Sequence, residues 1–233
     1  MDDFLNFQVI ADNFTYFMIG RYPKGPFGGL ALTLYLAVVS CTLSVFGGLI
    51  LGLLSISRYR WIRLPSMLFI NTVRGLPLLM VIFWMYFLLP ALMGKTTPES
   101  QTVIMGLTLF TSAYMSQIVR AGIEGIPKGQ TEAALSTGLR PWQAMLYIVL
   151  PQGLRNMIPS FVNQFVSLIK DTSLAFIVGV SELTHVGTQI NNRTMAYPTE
   201  IFIFIAAVYF VICYAFTSLS RVLERRLSVS TRS

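Results

Sequence analysis

Apolar residues along this chain come in long, nearly unbroken runs, without the two-residue alternation of half-buried strands. Five runs reach the roughly 20 residues that a helix needs to cross a bilayer: about 29–55, 66–92, 102–122, 160–181 and 200–221. Alternating segments of about 10 residues, the mark of a transmembrane barrel, do not occur. The pattern predicts an all-α integral membrane protein with five transmembrane helices. Residues 143–159 are apolar but broken by Pro151, Arg155, Asn156 and Pro159, so they predict an amphipathic helix on the membrane surface leading into the fourth run. Residues 4–20 mix Phe4, Phe7, Phe14, Tyr16 and Phe17 with Asn6, Gln8, Asp12 and Asn13. They are too polar to cross and read as an aromatic interfacial segment, the alternative being a frayed terminus. The acidic start Met1-Asp2-Asp3 does not resemble the basic opening of a secretory signal.

Composition agrees with the pattern. The 233 residues are 54% hydrophobic and 12% charged, about half the 25% charge of a soluble domain. The net charge of +7 is a topology signal, because basic residues collect on the cytoplasmic side. Arg58, Arg60, Arg63, Arg74, Arg120, Lys128, Arg140, Arg155, Arg221, Arg225, Arg226 and Arg232 fall on one side of the five runs. Only Arg21, Lys24, Lys95 and Arg193 fall on the other. The expected arrangement is therefore N-terminus outside, C-terminus inside. Cationic residues spread over separated loops argue against a nucleic-acid surface. Cys41 and Cys213 lie within apolar runs, and His185 is the only histidine. Neither a disulfide framework nor a multi-histidine metal site is expected, and His185 reads as a structural or solvated loop residue.

The longest inside loop, 123–142, carries the most pointed pattern. Pro127, Gly129 and Gln130 break from the third run. Thr131 is placed to cap a short helix with Glu132 in its first turn, and Ala133, Ala134 and Leu135 favour helix. Gly138 ends it, and Pro141 follows. Small residues on one face allow a partner surface to approach. A helix that only links two spans is the competing reading. The sequence holds no Gly-x4-Gly-Lys-Ser/Thr phosphate loop. On residues alone, an ATP-driven transporter relying on a separate ATPase and an ATP-independent secondary transporter or channel both stand. A five-span chain is small to enclose a pathway alone, which favours a pathway shared by two chains.

In the fourth run, Lys170 and Asp171 lie near the middle of residues 160–181. Charges there are expensive and usually face the bundle interior or a cavity. Gln164, Ser167 and Asp171 follow at i, i+3 and i+7 and share one helical face. The alternatives are that Lys170 and Asp171 pair with other helices and only hold the assembly together, or that the fourth span is 145–169 and leaves both charges at the outer surface. Arg74 and Arg120, near the ends of their runs, read as snorkelling to headgroups or as gate contacts. Pro77 reads either as a kink in the second run or as a residue packed against a neighbouring helix.

The spacing Glu132-Ala133-Ala134, x3, Gly138, x9, Ile148, x, Leu150-Pro151 resembles the signature loop of bacterial ABC importer permeases. Five further segments resemble the polar amino acid permeases of that superfamily, the His/Glu/Gln/Arg/opine permease family: Val73-Arg74-Gly75-Leu76-Pro77-Leu78, Gln117 to Ile123, Gln130 to Ala134, Leu150 to Arg155, and Asn163 to Leu174. Leu76 departs from the Thr or Ser common in that family. The resemblance covers about residues 28–222. It implies a type I importer permease domain at 28–222 with its coupling helix at about 128–141, a periplasmic or interfacial segment at 1–27, and a cytoplasmic tail at 223–233. It also implies a bacterial inner-membrane, multi-pass transport subunit with no ATPase site of its own. Its partners would be two ABC ATPase subunits holding ATP and Mg, a second permease chain (identical or paralogous) and a periplasmic binding protein. Glu132, Ala133, Ala134, Gly138 and Pro141 would meet the ATPase, while Arg74, Pro77, Arg120 and Pro151 would serve gating or structure. For a polar amino acid, Asp171 suits the α-amino group, Lys170 a carboxylate and Gln164 the side chain, with Asn163 and Ser167 beside them. A glutamine at 164 favours glutamate, aspartate or their amides over a cationic substrate.

Overall fold

The computed structural model describes residues 7–229, with side chains to residue 225. Among the described residues no strand occurs, only isolated bridges at Gly20–Phe27 and Gly29–Glu182. Four helical segments are long and apolar enough to cross a membrane: Gly29–Ser55, Glu99–Glu124, Pro141–Val178 and Pro198–Arg225. Arg60–Gly75 and Leu78–Met93 meet the test only as a pair. Counted as one broken span, the pair would bring the number to five. The sequence-predicted span at 66–92 is thus broken at Leu76 and Pro77, both in extended backbone. The residue before a proline is pushed out of the helical region, and Pro77 then caps the next helix.

Contacts divide the chain into two compact units, with one boundary at the Leu76–Pro77 break and the others inside long helices. The first contains residues 1–42, 77–108 and 165–215; the second contains 43–76, 109–164 and 216–233.

The first unit begins with α1 (Gln8–Asp12) and α2 (Phe14–Ile19), followed by the start of α3 (Gly29–Ser55). It includes α5 (Leu78–Phe83), α6 (Leu89–Met93), α11 (Leu183–Thr194) and most of α12 (Pro198–Val229). Leu183, Val186, Gly187 and Ile190 of α11 follow the i, i+3, i+4, i+7 spacing of an apolar face and are all buried. Val9, Ile10 and Phe17 cover that face from one side, and Ile201 and Ile205 of α12 from another. Gly187 admits Ile205, whose side chain occupies the place a Cβ would take. Phe17 meets Phe204 edge to face at 4.9 Å, and burying it stabilises by about 1.5–3 kcal/mol. Residues 7–19 are therefore not a free interfacial segment or a frayed end. They are helices folded onto α11; of their large apolar side chains, Phe7 and Phe14 are exposed. The expectation for Phe4, Asp2 and Asp3 lies outside the described residues. The loop reading of His185 is likewise replaced, since it sits in the first turn of α11.

The second unit holds the rest of α3, α4 (Arg60–Gly75), the end of α7 (Glu99–Glu124), α8 (Lys128–Ser136), α9 (Pro141–Ala144) and α10 (Leu150–Asp171) as far as residue 164. Gly47, Gly48 and Gly52 of α3 pack directly on Ser112, Met115 and Val119 of α7. Small residues let helix backbones approach closely where lipid supplies no hydrophobic drive. Gly122 of α7 and Gly153 of α10 make a second close approach, closed over by Met157. Val119, Ile123, Val149 and Met157 form the buried core around it.

Residues 143–159 do not form a separate surface helix. They belong to the helical segment Pro141–Val178, which contains a π turn at Met145–Val149. A second π turn, Trp84–Leu88, joins α5 to α6. Each is followed by Leu-Pro, at Leu89-Pro90 and Leu150-Pro151. A proline inside a helix lacks the N–H and crowds the carbonyl four residues back, here Tyr86 or Tyr147. Widening that turn relieves the crowding, and the leucine N–H bonds five residues back, to Trp84 or Met145. The expected tail from 223 continues α12 as helix to Val229.

Candidate functional site

The loop after α7 folds into α8, but not with the cap expected from sequence. Pro127 is the N-cap and the helix starts at Lys128, so Thr131 and Glu132 lie in its middle. Proline supplies no N–H and has a preset φ, which ends the preceding chain and starts the helix earlier than a Thr131 cap would. Glu132 and Ala133 are exposed, whereas Ala134 is buried against the protein. Gln130 Oε1 accepts from Gln152 Nε2 at 3.3 Å, tying α8 to α10. The helix closes with Thr137 N–H donating to Ala133 O and Gly138 N–H to Leu135 O. Gly138 has φ +86°, with open space where a Cβ would stand. The left-handed conformation, not crowding, is what selects glycine there. Pro141 is the first residue of α9, and Arg140 N–H donates to Gln143 Oε1 at 2.8 Å across its start. Trp142 lies exposed beside this turn.

A cavity of about 450 Å³ in the second unit is lined by Gln117, Ile118, Ala121, Gly122 and Gly125 of α7 and by Asn156, Met157 and Ser160 of α10. Its polar groups are neutral. On α10, spacings of three and four continue the face of Asn156 and Ser160 through Asn163, Gln164, Ser167, Lys170 and Asp171. Asn163 and Lys170 are exposed, and Gln164, Ser167 and Asp171 half-buried. The structure thus keeps the expected residues on one helical face but moves the charges. Lys170 and Asp171 occupy the last turn of α10, because that helix begins earlier than expected and ends at Asp171. Beyond them the chain tightens into a 3-10 helix, Thr172–Val178. Ser173 Oγ donates to Lys170 O at 2.6 Å there.

Arg74 lies in the last turn of α4, just before the break, with its guanidinium 5.2 Å from the centre of the Tyr114 ring. Tyr114 lies one turn before Gln117, on the face of α7 that lines the cavity. Arg120 pairs with Glu124 at 2.8 Å instead of reaching out alone. Pro77 and Pro151 take the places already described, at the break and after the π turn.

Sequence reasoning missed Glu182. It is fully buried and caps α11, accepting from Thr184 N–H at 2.9 Å and His185 N–H at 2.8 Å. Tyr209 Oη donates to it at 3.1 Å. Leu183 N–H donates to Thr33 Oγ1, and Gly29 N–H to Ser181 O, so the start of α3 joins the same corner. Burial pushes the Glu182 carboxyl up to about 7, against the downward pull of its hydrogen bonds. Its only sequence signal is the step from Glu182 to the apolar spacing at 183, 186, 187 and 190, an N-cap followed by an amphipathic helix. No group of three or more His, Cys, Asp and Glu capable of holding a metal occurs among the described residues.

Residues 44–229 match the family of binding-protein-dependent transport system inner membrane components. The chain is 41% identical over 200 residues to the probable glutamine ABC transporter permease protein GlnP of Bacillus subtilis, covering 85% of this chain and 91% of that one. It is 31% identical over 205 residues to the glutamate/aspartate import permease protein GltK of Escherichia coli O157:H7, again covering 85% and 91%. A crystal structure of an amino acid ABC transporter with histidines superposes with a TM-score of 0.84 at 31% identity, over 96% of this chain and 100% of that one. An inward-facing MetNI methionine ABC transporter shares the fold, with a TM-score of 0.73 at 20% identity over 84% and 93%. The exposed α8, the polar face of α10 and these likenesses converge: the chain belongs to the binding-protein-dependent transport system inner membrane components, as a multi-pass inner-membrane permease of the polar amino acid ABC importers, whose ATPase is a separate subunit.

Proposed function

We propose that this permease moves glutamate, aspartate or their amides inward, glutamine foremost, by alternating access driven through α8. The observation that carries the reading is α8 itself. It is a short helix fixed on its inner side by Ala134 and the Gln130–Gln152 bond, while Glu132 and Ala133 face out. That is the shape of an element held by a second protein. The partners are two ABC ATPase subunits that bind ATP and Mg, a second permease chain and a periplasmic binding protein. The distribution of basic residues supports an N-terminus outside and a C-terminus inside. Closure of the ATPases on ATP drags α8, with Gly138 and Pro141 fixing its exit, and α8 moves the helices it touches.

The polar face of α10 carries the substrate. Asp171 takes the α-amino group, Lys170 a carboxylate, and Asn163, Gln164 and Ser167 the side chain. Neutral Gln117, Asn156 and Ser160 in the cavity suit an amide side chain and offer a cationic one no countercharge. The similarity to permeases named for glutamine and for glutamate/aspartate supports this choice. Other relatives are named for cystine and arginine, so the cargo needs a direct test. Arg74 and Pro77 at the broken span, and Arg120 and Pro151 beside α8 and its π turn, act in the gate. The test is reconstitution with the ATPase and binding protein, scoring ATP hydrolysis against a panel of amino acids. Stimulation by glutamine, glutamate, aspartate or asparagine is expected. Stimulation by arginine or histidine alone overturns the substrate assignment.

A further inference from the structure

We propose that the corner between α3 and α4, residues 58–68, binds the headgroup of an anionic phospholipid of the inner leaflet. Arg58, Arg60 and Arg63 are all exposed at this corner. Arg60 and Arg63 are three apart on α4 and so are surface neighbours. The Arg58 guanidinium is already positioned, 4.9 Å over the Tyr59 ring and donating to Tyr59 Oη at 3.1 Å. Among the described residues none of the three arginines has an ion pair. The sequence contains no Asp or Glu between residues 13 and 98, so this stretch supplies them no carboxylate.

What lies beside the charges chooses the occupant. Trp61 is 91% exposed, Leu64 47% and Leu68 70%. Spacings of three and four place them on one stripe of α4, while Ile70 and Val73 on another face are buried. At 1.5 Å per residue the stripe runs about 12 Å along the helix from Arg60 to Leu68. A cationic end followed by an uncovered apolar strip matches a phosphate followed by acyl chains. A tryptophan at the junction is the residue type that favours the membrane–water boundary. An aqueous protein partner would match the arginines and leave the strip uncovered. The site rests on the inside placement of the corner.

The site can be read by the lipid that stays with the purified permease–ATPase complex after extensive washing in detergent. Phosphatidylglycerol and phosphatidylethanolamine are quantified by mass spectrometry. Wild type should retain phosphatidylglycerol in preference. Each Lys or Arg near a membrane surface contributes about fivefold to binding of anionic lipid. R60Q/R63Q should therefore lose that preference by about 30-fold, R60K/R63K should keep most of it, and R155Q, a change at an exposed arginine elsewhere, should leave it unaltered. W61A should weaken retention with the charges intact. Unchanged enrichment in R60Q/R63Q overturns the site. So does loss of the ATPase from that variant with lipid retention intact, which would make the corner a protein contact. Should R60Q/R63Q fail to fold, salt decides on wild type: retention must fall as ionic strength rises, and salt-independent retention overturns the proposal.

Discussion

Replacing Glu182 by Gln separates the charge of this buried group from its shape. The ordinary carboxyl value is 4.5, and burial raises it to about 7. A carboxyl raised in the folded state favours folding below its unfolded value and loses that contribution as pH rises toward its folded one. Wild type should therefore be most stable under acid conditions and lose stability between 4.5 and about 7. At 1.36 kcal/mol per pH unit, the loss is about 3 kcal/mol. The variant keeps an acceptor for His185 N–H but turns its amide N–H groups toward Thr184 N–H. That costs about 1–3 kcal/mol at every pH and removes the titration. Thermal unfolding of the purified transporter, followed by tryptophan fluorescence across this window, reads both effects. Wild type should fall by several degrees, at about 2–4 °C per kcal/mol for a chain of this size. The variant, relative to wild type, should be less stable in acid and recover toward neutrality. A wild-type curve parallel to the variant at all pH values would refute the reasoning, since it would place the Glu182 charge in water.

Three further outcomes follow from the geometry. Gly138→Ala puts a Cβ on a residue at φ +86° with no atoms in its way, so it should cost about 1–2 kcal/mol of strain, visible as weaker ATP-linked uptake. Gly138→Asn should cost less, because Asn tolerates the left-handed region. Gly48→Leu places a side chain against Met115, whose carbonyl carbon is 3.1 Å from an ideal Cβ; it should lower the yield of folded permease in membranes, at a cost of about 1–3 kcal/mol or more. Asp171→Asn should impair uptake while the complex still purifies intact, whereas loss of assembly would mean that the charge only holds helices together.

The first, third and fifth spans were legible because each is a long apolar run with polar ends, and α3 spans the predicted 29–55. The broken span was harder to read. Pro77 allowed a kink, but hydropathy does not register that Leu76 leaves the helix with it. Residues 143–159 misled for a related reason. Pro151 and Arg155 looked like interruptions, yet a π turn absorbs the proline and the exposed Arg155 leaves the helix intact. Once the helix starts at Pro141 and not near 160, Lys170 and Asp171 fall at its last turn. The spacing-based prediction for the face of α10 survives that shift, because helical periodicity does not depend on where the helix begins. The folding of residues 7–19 onto α11 depends on long-range burial of Val9, Ile10 and Phe17, which local aromatic content cannot distinguish from an interfacial segment. Glu182 stayed hidden because a carboxylate between two apolar runs looks solvated until Tyr209 and the start of α3 close over it.

The central claim is that α8 transmits the work of a separate ATPase. The most direct test reconstitutes the complex with its binding protein and measures ATP-linked uptake after Glu132→Arg with Ala133→Trp. Both residues face away from the permease, so its own fold has no stake in them. The account predicts loss of uptake and of substrate-stimulated ATP hydrolysis with normal amounts of permease in the membrane. Uptake at the wild-type rate would contradict it.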